Sequence, residues 1–259
     1  MDKKKLVETI EEISPSELAE SWDNCGFQVD CASDTANIGR VLVSLEITGA
    51  VIDEAIRCGA DLILTHHPLI FGGVNSIRRE DTVGSYLIRL IQAGISVYSC
   101  HTSFDKTRGG NNDYFGELLE LADIRAFDSG NPYCRKGETS FDVTFAEMIH
   151  QTAQALNIEE KFFQTVGDLS KPIGRVGWCT GAGSEFIEEA KQEGCSLYIT
   201  GDIKYHQAQN ALESGICLLD AGHYGTEKIF TENMAGMLYD RCDGEIDILQ
   251  SEVDLNPFR

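Results

Sequence analysis

The sequence predicts an α/β fold that contains an internal duplication, with sheets that are mixed or mostly parallel. Short apolar segments typical of buried strands alternate with amphipathic segments typical of helices. A stretch of thirty residues recurs later in the chain, and five of the six histidines follow predicted strands. Together these observations predict two α/β halves that carry functional side chains at the ends of their strands.

The amino-terminal part of the chain alternates between helix and strand. Gly59 and Gly94 each follow an amphipathic stretch and mark the end of a helix. The order of elements predicts βαβ units, and a loop is predicted between the second helix and the first strand. The predicted helices are 3–13, 16–19, 48–58 and 81–93, and the predicted strands are 41–45, 62–64 and 95–98.

The duplication is visible as an alignment of residues 38–67 with residues 173–202, without a gap. Ten of the thirty aligned positions are identical, and they include Ile-Gly-Arg-Val at the start and Thr65 against Thr200. In both copies a helix and then a second apolar strand follow. A repeat of this length indicates a duplicated α/β unit.

The repeat predicts a division of the chain into a first half at 1–127, a connector at 128–172 and a second half at 173–259. The connector contains a predicted helix near 144–156 and no chemical motif. The end of the chain adds one more predicted helix and a strand at 245–249. The chemistry of the protein is therefore expected in the two halves.

Composition narrows the class of protein. The chain has 259 residues and a formal net charge of −21, which repels nucleic acid and anionic membranes, so neither is an expected partner. No run of residues approaches the ~20 apolar residues of a membrane-spanning helix, and the amino terminus lacks the features of a secretory signal. The nine cysteines show no C-x-x-C spacing, which argues against a disulfide framework or a zinc ribbon. We expect a cytoplasmic globular protein.

Five of the six histidines lie in four short segments, two from each half. Functional loops of parallel α/β sheets lie at the carboxyl ends of the strands. If the halves pack with pseudo-symmetry, the four segments converge on one cleft between them. The sixth histidine, His150, lies in a predicted helix and is given no function. The segments are THHPLIF (65–71), CHTSFD (100–105), TGDIKYH (200–206) and DAGHYGTE (220–227).

His66 and His67 leave the sheet where the chain turns, and Pro68 favours an extended conformation for the residue before it. Adjacent residues of an extended chain point in opposite directions, so we expect each histidine to bind a different ion of a close pair. The alternative is a turn with two hydrogen-bonded histidines. The clustering of the other histidines favours the metal site.

His101 with Asp105, and His223 with Glu227, repeat one spacing of four residues, once in each half. Residues with this spacing share a face on a helical turn. An ordinary surface contact is the alternative, but it does not explain why both pairs follow an apolar strand. Mixed imidazole and carboxylate ligands favour zinc, iron or manganese over calcium or magnesium. The sequence therefore predicts a site for two divalent metal cations.

Two further segments carry candidate substrate-binding residues. Trp22 and Asn24 lie in a loop, where an exposed tryptophan packs over a pocket or covers the core. Lys204, Tyr205 and His206 follow an apolar strand and could supply a cation, a hydroxyl and a proton-transferring imidazole, with a solvated turn as the alternative. The predicted catalytic residues are His101 and His206, and the predicted substrate-binding residues are Lys204, Tyr205, Trp22 and Asn24.

The segments WDNCGF, LTHHPLIF, CHTSFD, TGDIKYHQA and DAGHYGTE, in this order, resemble the motifs of the Nif-three-like family, whose members are also named GTP cyclohydrolase I type 2 homologues. The resemblance spans almost the whole chain. It implies two intertwined α/β halves, a dinuclear metal centre and a ring-shaped homohexamer. It also implies a set of metal ligands in which Glu227 bridges the two ions. This set is His66, His67, Asp105, His223 and Glu227.

The preferred function is a dinuclear metal-dependent hydrolase that acts on a nucleotide or another heterocycle through a metal-bound hydroxide. In the cyclohydrolase version, which the resemblance suggests, C8 of a purine is attacked and formate is released. A phosphorylated substrate needs local positive charge, for which Lys204, Lys106 and Arg108 are candidates. The alternatives are a metal-dependent phosphoesterase, which shares the ions, and a non-catalytic metal-binding scaffold whose oligomer is an interaction platform.

Overall fold

The computed structural model describes residues 1–258, without the side chain of residue 141. Among these residues, no helix combines the length and the apolar character that crossing a bilayer requires. Short 3₁₀ helices lie at Ser16–Leu18, Glu160–Phe162 and Ser184–Phe186. The α-helices are α1 (Lys3–Ile13), α2 (Gly49–Cys58), α3 (Thr82–Ala93), α4 (Thr102–Lys106), α5 (Asn111–Leu118), α6 (Phe145–Leu156), α7 (Ile187–Gln192), α8 (Tyr205–Ser214), α9 (His223–Glu227) and α10 (Phe230–Cys242).

The strands form two mixed sheets, which confirms the predicted α/β class. They are β1 (Gly26–Val29), β2 (Arg40–Ser44), β3 (Leu62–Thr65), β4 (Ser96–Ser99), β5 (Ala122–Ala126), β6 (Arg135–Thr144), β7 (Gln164–Val166), β8 (Pro172–Ala182), β9 (Leu197–Gly201), β10 (Cys217–Asp220) and β11 (Asp247–Gln250).

The chain is organised as two compact units. The first unit consists of Met1–Gly110 together with the carboxyl-terminal segment that begins at Phe230, and the second unit is Asn111–Ile229. The first unit is therefore discontinuous in sequence. These units do not coincide with the predicted halves, whose boundaries lie at residues 127 and 172.

The sheet of the first unit has the strand order β1-β4-β3-β2-β11. Neighbouring strands from β4 to β11 are parallel, and only β1 pairs antiparallel, with β4. Leu62, Ile63 and Leu64 of β3 are all fully buried. Because such a central strand is covered on both faces, it is a continuous apolar run in the sequence rather than an alternating one.

The sheet of the second unit has the strand order β5-β6-β8-β9-β10-β7. β8, β9 and β10 are parallel, and the outer strands pair antiparallel. Leu197, Ile199 and Leu219 belong to one apolar cluster, whereas Tyr198 and Leu218 belong to another. Alternate side chains of β9 and β10 therefore enter separate cores on the two faces of the sheet.

The predicted duplication is confirmed, because each copy forms the same motif in its own unit. β2 and β3 are neighbouring parallel strands of the first unit, as β8 and β9 are of the second. The next strand along the chain, β4 or β10, then pairs parallel with β3 or β9. Equivalent backbone hydrogen bonds close both motifs, from the amide of Cys100 to the carbonyl of Thr65 (2.8 Å) and from the amide of Ala221 to the carbonyl of Thr200 (2.9 Å).

Two segments differ from the prediction. The predicted loop before β2 contains β1, an edge strand of only four residues, which is too short for its periodicity to be recognised. The predicted connector at 128–172 instead supplies β6, α6 and β7 to the second unit. β6 pairs directly with β8, the strand that opens the second copy of the repeat. This segment therefore completes the second sheet rather than linking two halves.

Candidate metal centre

The first unit brings the side chains of His66, His67 and His101 together. Each residue offers one ring nitrogen, and these nitrogens all lie within 4.8 Å of one another. The ring centroid of His66 is 5.2 Å from that of His67 and 5.2 Å from that of His101. The three imidazoles can therefore hold a metal ion.

His66 and His67 face the same site because the chain turns sharply at the end of β3. The backbone amides of both residues donate to a single carbonyl, that of Leu45, at 3.1 and 2.9 Å. The Thr65 hydroxyl donates to the carbonyl of His67 at 2.9 Å and stabilises the turn. The expectation that the two histidines point in opposite directions assumed an extended chain, and the turn shows that this expectation was wrong.

Asp105 extends this group, because α4 begins directly after His101 and carries Asp105 towards His66. Oδ1 of Asp105 lies 3.5 Å from Nε2 of His66. Nδ1 of His66 lies 2.9 Å from the carbonyl oxygen of Cys100, which can only accept a hydrogen bond, so Nδ1 carries the proton. In neutral His66, Nε2 then presents a lone pair to a carboxylate oxygen. This arrangement of donor atoms fits a bound cation.

The second unit contains the corresponding pair, His223 and Glu227, on α9. Nε2 of His223 lies 2.9 Å from Oε2 of Glu227, so the predicted spacing does place both side chains on one face. Nδ1 of His223 lies 2.8 Å from Oδ2 of Asp202 and donates to it. When the ring is neutral, Nε2 is the nitrogen that can bind a metal, and it lies beside a carboxylate oxygen, as Nε2 of His66 does in the first unit. Such ring nitrogens, with the opposite nitrogen anchored, are typical metal ligands.

The Glu227 carboxylate is buried against backbone that has no room for another side chain. A Cβ atom added to Gly181 in β8 would lie 2.0 Å from Oε1 of Glu227. Gly181 also has a φ of +71°, which strains residues other than glycine. Its amide donates to Oγ1 of Thr226 at 2.8 Å, which links β8 to α9. Glycine at position 181 therefore leaves the space that the Glu227 carboxylate, a candidate metal ligand, occupies.

His101 is oriented by a carboxylate that the sequence analysis did not select. Nδ1 of His101 lies 2.9 Å from Oδ1 of Asp23, and Oδ2 of Asp23 accepts from the amide and the hydroxyl of Thr102 at 3.0 and 2.6 Å. Burial alone would raise the pKa of Asp23, but the hydrogen bonds with His101 and Thr102 outweigh it and hold the pKa well below its usual range. Asp23 stays ionised and leaves Nε2 of His101 as the nitrogen that could bind a metal or a proton.

Asp202 performs the same role for His223 and was also missed by the sequence analysis. It occupies the position of the repeat that His67 occupies in the first copy, and this correspondence could have identified it. Its backbone is left-handed, with a φ of 56°, which is uncommon for a residue with a side chain. Strained backbone of this kind is concentrated at functional sites.

Replacement of Asp202 by asparagine is expected to weaken metal binding by about 10- to 100-fold, because His223 loses its charged orienting partner. Asparagine tolerates left-handed backbone, so the fold is expected to remain intact. The affinity can be measured by competition with a chromophoric zinc chelator. Asp243→Asn is the matched control, because Asp243 is exposed and also left-handed, with a φ of 47°. Equal affinities of the two variants would contradict the role assigned to Asp202.

The remaining predicted residues, which were assigned to the substrate or to proton transfer, lie outside the groups of candidate metal ligands among the described residues. Lys204, Tyr205 and His206 are exposed at the start of α8, where the rings of Tyr205 and His206 lie 5.3 Å apart. Within residues 1–258, none of the three belongs to a group of side chains that could hold a metal. The Lys106 ammonium lies 2.7 Å from Oε1 of Glu20, so it already has a carboxylate partner. Trp22 is 61% exposed and lies in the first unit.

The family model described as Duf34/NIF3 (NGG1p interacting factor 3) matches residues 1–257. A GTP cyclohydrolase 1 type 2 homolog of Clostridium perfringens is 33% identical over 258 residues, which cover 98% of this chain and 97% of that protein. A Helicobacter pylori protein named GTP cyclohydrolase 1 type 2 is 32% identical over 240 residues, 91% of each chain.

Solved structures show the same fold. The crystal structure of a Bacillus cereus protein related to NIF3 superposes with a TM-score of 0.91 at 21% identity and covers 100% of this chain and 99% of the other. The matches of sequence and fold both extend over essentially the whole chain. The chain belongs to the Duf34/NIF3 (NGG1p interacting factor 3) family.

Proposed function

We propose that this protein is a dinuclear metal-dependent hydrolase that acts on a nucleotide or a related heterocycle. One observation supports this proposal most strongly. In each unit, one histidine that follows a parallel strand, His66 or His223, has its Nδ1 hydrogen-bonded to a protein oxygen and its Nε2 beside a carboxylate oxygen. The proposed ligands are His66, His67 and Asp105 from the first unit and His223 and Glu227 from the second.

The donor atoms support the choice of metal. Imidazole nitrogens together with carboxylate oxygens suit zinc, iron or manganese, whereas calcium and magnesium prefer sites made almost entirely of oxygen. When bound, two such ions would lower the pKa of water to near neutrality and polarise the electrophile. The name of the Helicobacter pylori relative supports a purine nucleotide as the substrate.

The residues of the chain that are proposed to move protons are His101 and His206. His101 has the stronger support, because Asp23 anchors Nδ1 and leaves Nε2 available beside His66 and His67. Nε2 of His101 can then accept a proton from the attacking water and pass it to the leaving nitrogen or oxygen. His206 is exposed and lies next to Tyr205, and it could only serve a substrate that extends to α8. Lys204, exposed at the same end of α8, is the proposed partner of a phosphate group.

The proposal is tested by metal analysis of the purified protein followed by activity measurements. Mass spectrometry of the metal content should find about two ions per chain. After chelation, zinc, iron(II) and manganese(II) are restored one at a time, and formate release from GTP and phosphate release from nucleotides are measured. Turnover is expected only with metal. Turnover that persists in metal-free protein, or a chain that retains no metal, would reject the proposal.

A further inference from the structure

Two large aromatic side chains of the first unit lie together at the surface. Trp22 is 61% exposed and Phe71 is 64% exposed. Their ring centroids are 6.1 Å apart and their planes are inclined at 70°, so the rings form a corner rather than a closed stack. A tryptophan that covered the core would be largely buried. The other alternative from the sequence, a tryptophan that packs over a pocket, therefore agrees better with this exposure.

Hydrogen bonds between the two loops hold the backbone that adjoins both rings. The side-chain amide of Asn24 donates to the carbonyl of Ile70 at 2.7 Å and to Oε1 of Gln28 at 3.0 Å. The same Oε1 of Gln28 accepts from the amide of Ile70 at 3.1 Å. Asn24 and Gln28 thus fix the residue that precedes Phe71 to the loop that carries Trp22. A binding surface that is fixed in advance loses less conformational entropy when a ligand binds.

The aromatic corner adjoins the histidine group of the same unit. The ring centroid of Trp22 is 6.3 Å from that of His101. The residue after Trp22, Asp23, is the carboxylate that anchors His101. His101 in turn shares its group of ring nitrogens with His66 and His67. A ligand held against Trp22 would therefore lie beside the nitrogens that can bind metal or transfer a proton.

We infer that Trp22 and Phe71 bind the planar heterocyclic ring of the substrate, beside His101. Aromatic side chains stack on nucleobases through the faces of the rings, and this interaction requires no charge on the base. That suits a chain with a net charge of −21, which repels ligands recognised only through their phosphates. The inference deepens the proposed function and rests on it for the identity of the reaction. Asn24 is then a positioning residue rather than a contact of the substrate.

Trp22 can report the binding of a ring directly, because the only other tryptophan, Trp178, is fully buried. The experiment follows tryptophan fluorescence of the full chain during titration with guanosine, and in parallel with ribose 5-phosphate, which has no base. Guanosine is expected to quench the emission in a saturable way, and ribose 5-phosphate is not. In Trp22→Phe, where only Trp178 emits, guanosine is expected to have no effect. A wild-type emission that does not change with guanosine would overturn the inference.

Phe71→Ala tests the second ring while Trp22 remains as the reporter. Removal of one of the two aromatic contacts is expected to weaken guanosine binding by about 5- to 150-fold. Tyr239→Ala is the matched control, because Tyr239 is an aromatic residue with 71% exposure in the same unit, and it should bind guanosine as the wild type does. The melting temperature of each variant checks that the fold is intact. Unchanged binding by Phe71→Ala would overturn the assignment.

A second copy of the chain could pack against the two exposed rings instead of a ligand. Sedimentation of Phe71→Ala distinguishes it, since a change in oligomeric state with unchanged guanosine binding would assign the rings to an interface and overturn the inference. The test is also independent of turnover. Guanosine quenching in a protein without hydrolytic activity would contradict the proposed function but keep the ring subsite. Hydrolysis without quenching would support the proposed function and overturn the ring subsite.

Discussion

Replacement of His67 by alanine is expected to abolish metal-dependent turnover and to weaken metal binding by more than about 100-fold, since it removes a proposed ligand rather than the partner of one. His67 belongs to the group of ring nitrogens within 4.8 Å that also contains His66 and His101. Its side chain is partly exposed, so its loss should change the melting temperature little. Metal content by mass spectrometry and formate release from GTP measure the two effects.

His150→Ala is the control for this variant. The His150 side chain is 63% exposed and contacts Glu160, outside any group of metal-ligating side chains in the described part of the chain. Its loss should leave metal content and turnover unchanged. If His67→Ala protein retained turnover after chelation, the metal-dependent mechanism would be wrong.

Replacement of Lys136 by methionine is expected to lower the free energy of unfolding of the second unit by about 3–5 kcal/mol, because it leaves a buried carboxylate without its cation. Lys136 is 1% exposed, and its ammonium contacts the carboxylates of Glu193 and Asp128. Urea unfolding can be followed through Trp178, which lies in this unit, in a Trp22→Phe background. Lys161→Met, at a lysine whose side chain is 63% exposed, should change stability by less than about 0.5 kcal/mol.

The double variant Lys136→Met/Glu193→Met should regain most of the lost stability, because no charge then remains buried. The pH dependence gives a second measurement. Burial alone would raise the pKa of Glu193, but Lys136 and nearby backbone amides outweigh it and lower the pKa. This stabilisation is therefore complete above the unfolded-state pKa of about 4.3 and is lost as the pH falls through the lower folded value. An equal acid sensitivity of wild type and Lys136→Met would contradict the ion pair's contribution.

Much of the parallel core of each sheet could be predicted from the sequence. β2, β3 and β4 are short apolar runs separated by amphipathic helices, and the repeat transferred the same prediction to β8 and β9. Buried parallel strands are recognisable because both of their faces are apolar. The antiparallel outer strands were harder to predict. Every residue of β5 is exposed or partly exposed, so no apolar pattern identifies it.

The position of the last strand shows another limit. The strand predicted at 245–249 is present as Asp247–Gln250, but its partner is β2, some two hundred residues earlier. A pattern of residues indicates that a strand exists and does not indicate which strand it pairs with. The two compact units could not be delimited from sequence for the same reason.

The candidate site was predicted as residue types and spacing, and the structure adds its geometry. The spacing of His223 and Glu227 was sufficient to predict that their side chains lie together, because residues four apart lie on one face of α9. The common orientation of His66 and His67 depends on hydrogen bonds to the carbonyl of Leu45, a residue more than twenty positions earlier whose role no local pattern reveals. Asp23 was equally hidden, since its partner His101 lies far away in the chain. Contacts between distant segments, rather than local propensity, account for these misses.

The discontinuity of the first unit has a consequence for biosynthesis. Translation produces the amino-terminal strands first, yet β2 remains an open edge until the ribosome has delivered β11, which pairs with it. The second unit, Asn111–Ile229, is contiguous and can be completed while the tail is still being made. The unit begun first is thus finished last. A nascent chain arrested before residue 247 exposes an unpaired strand edge, and chaperones are expected to bind it there.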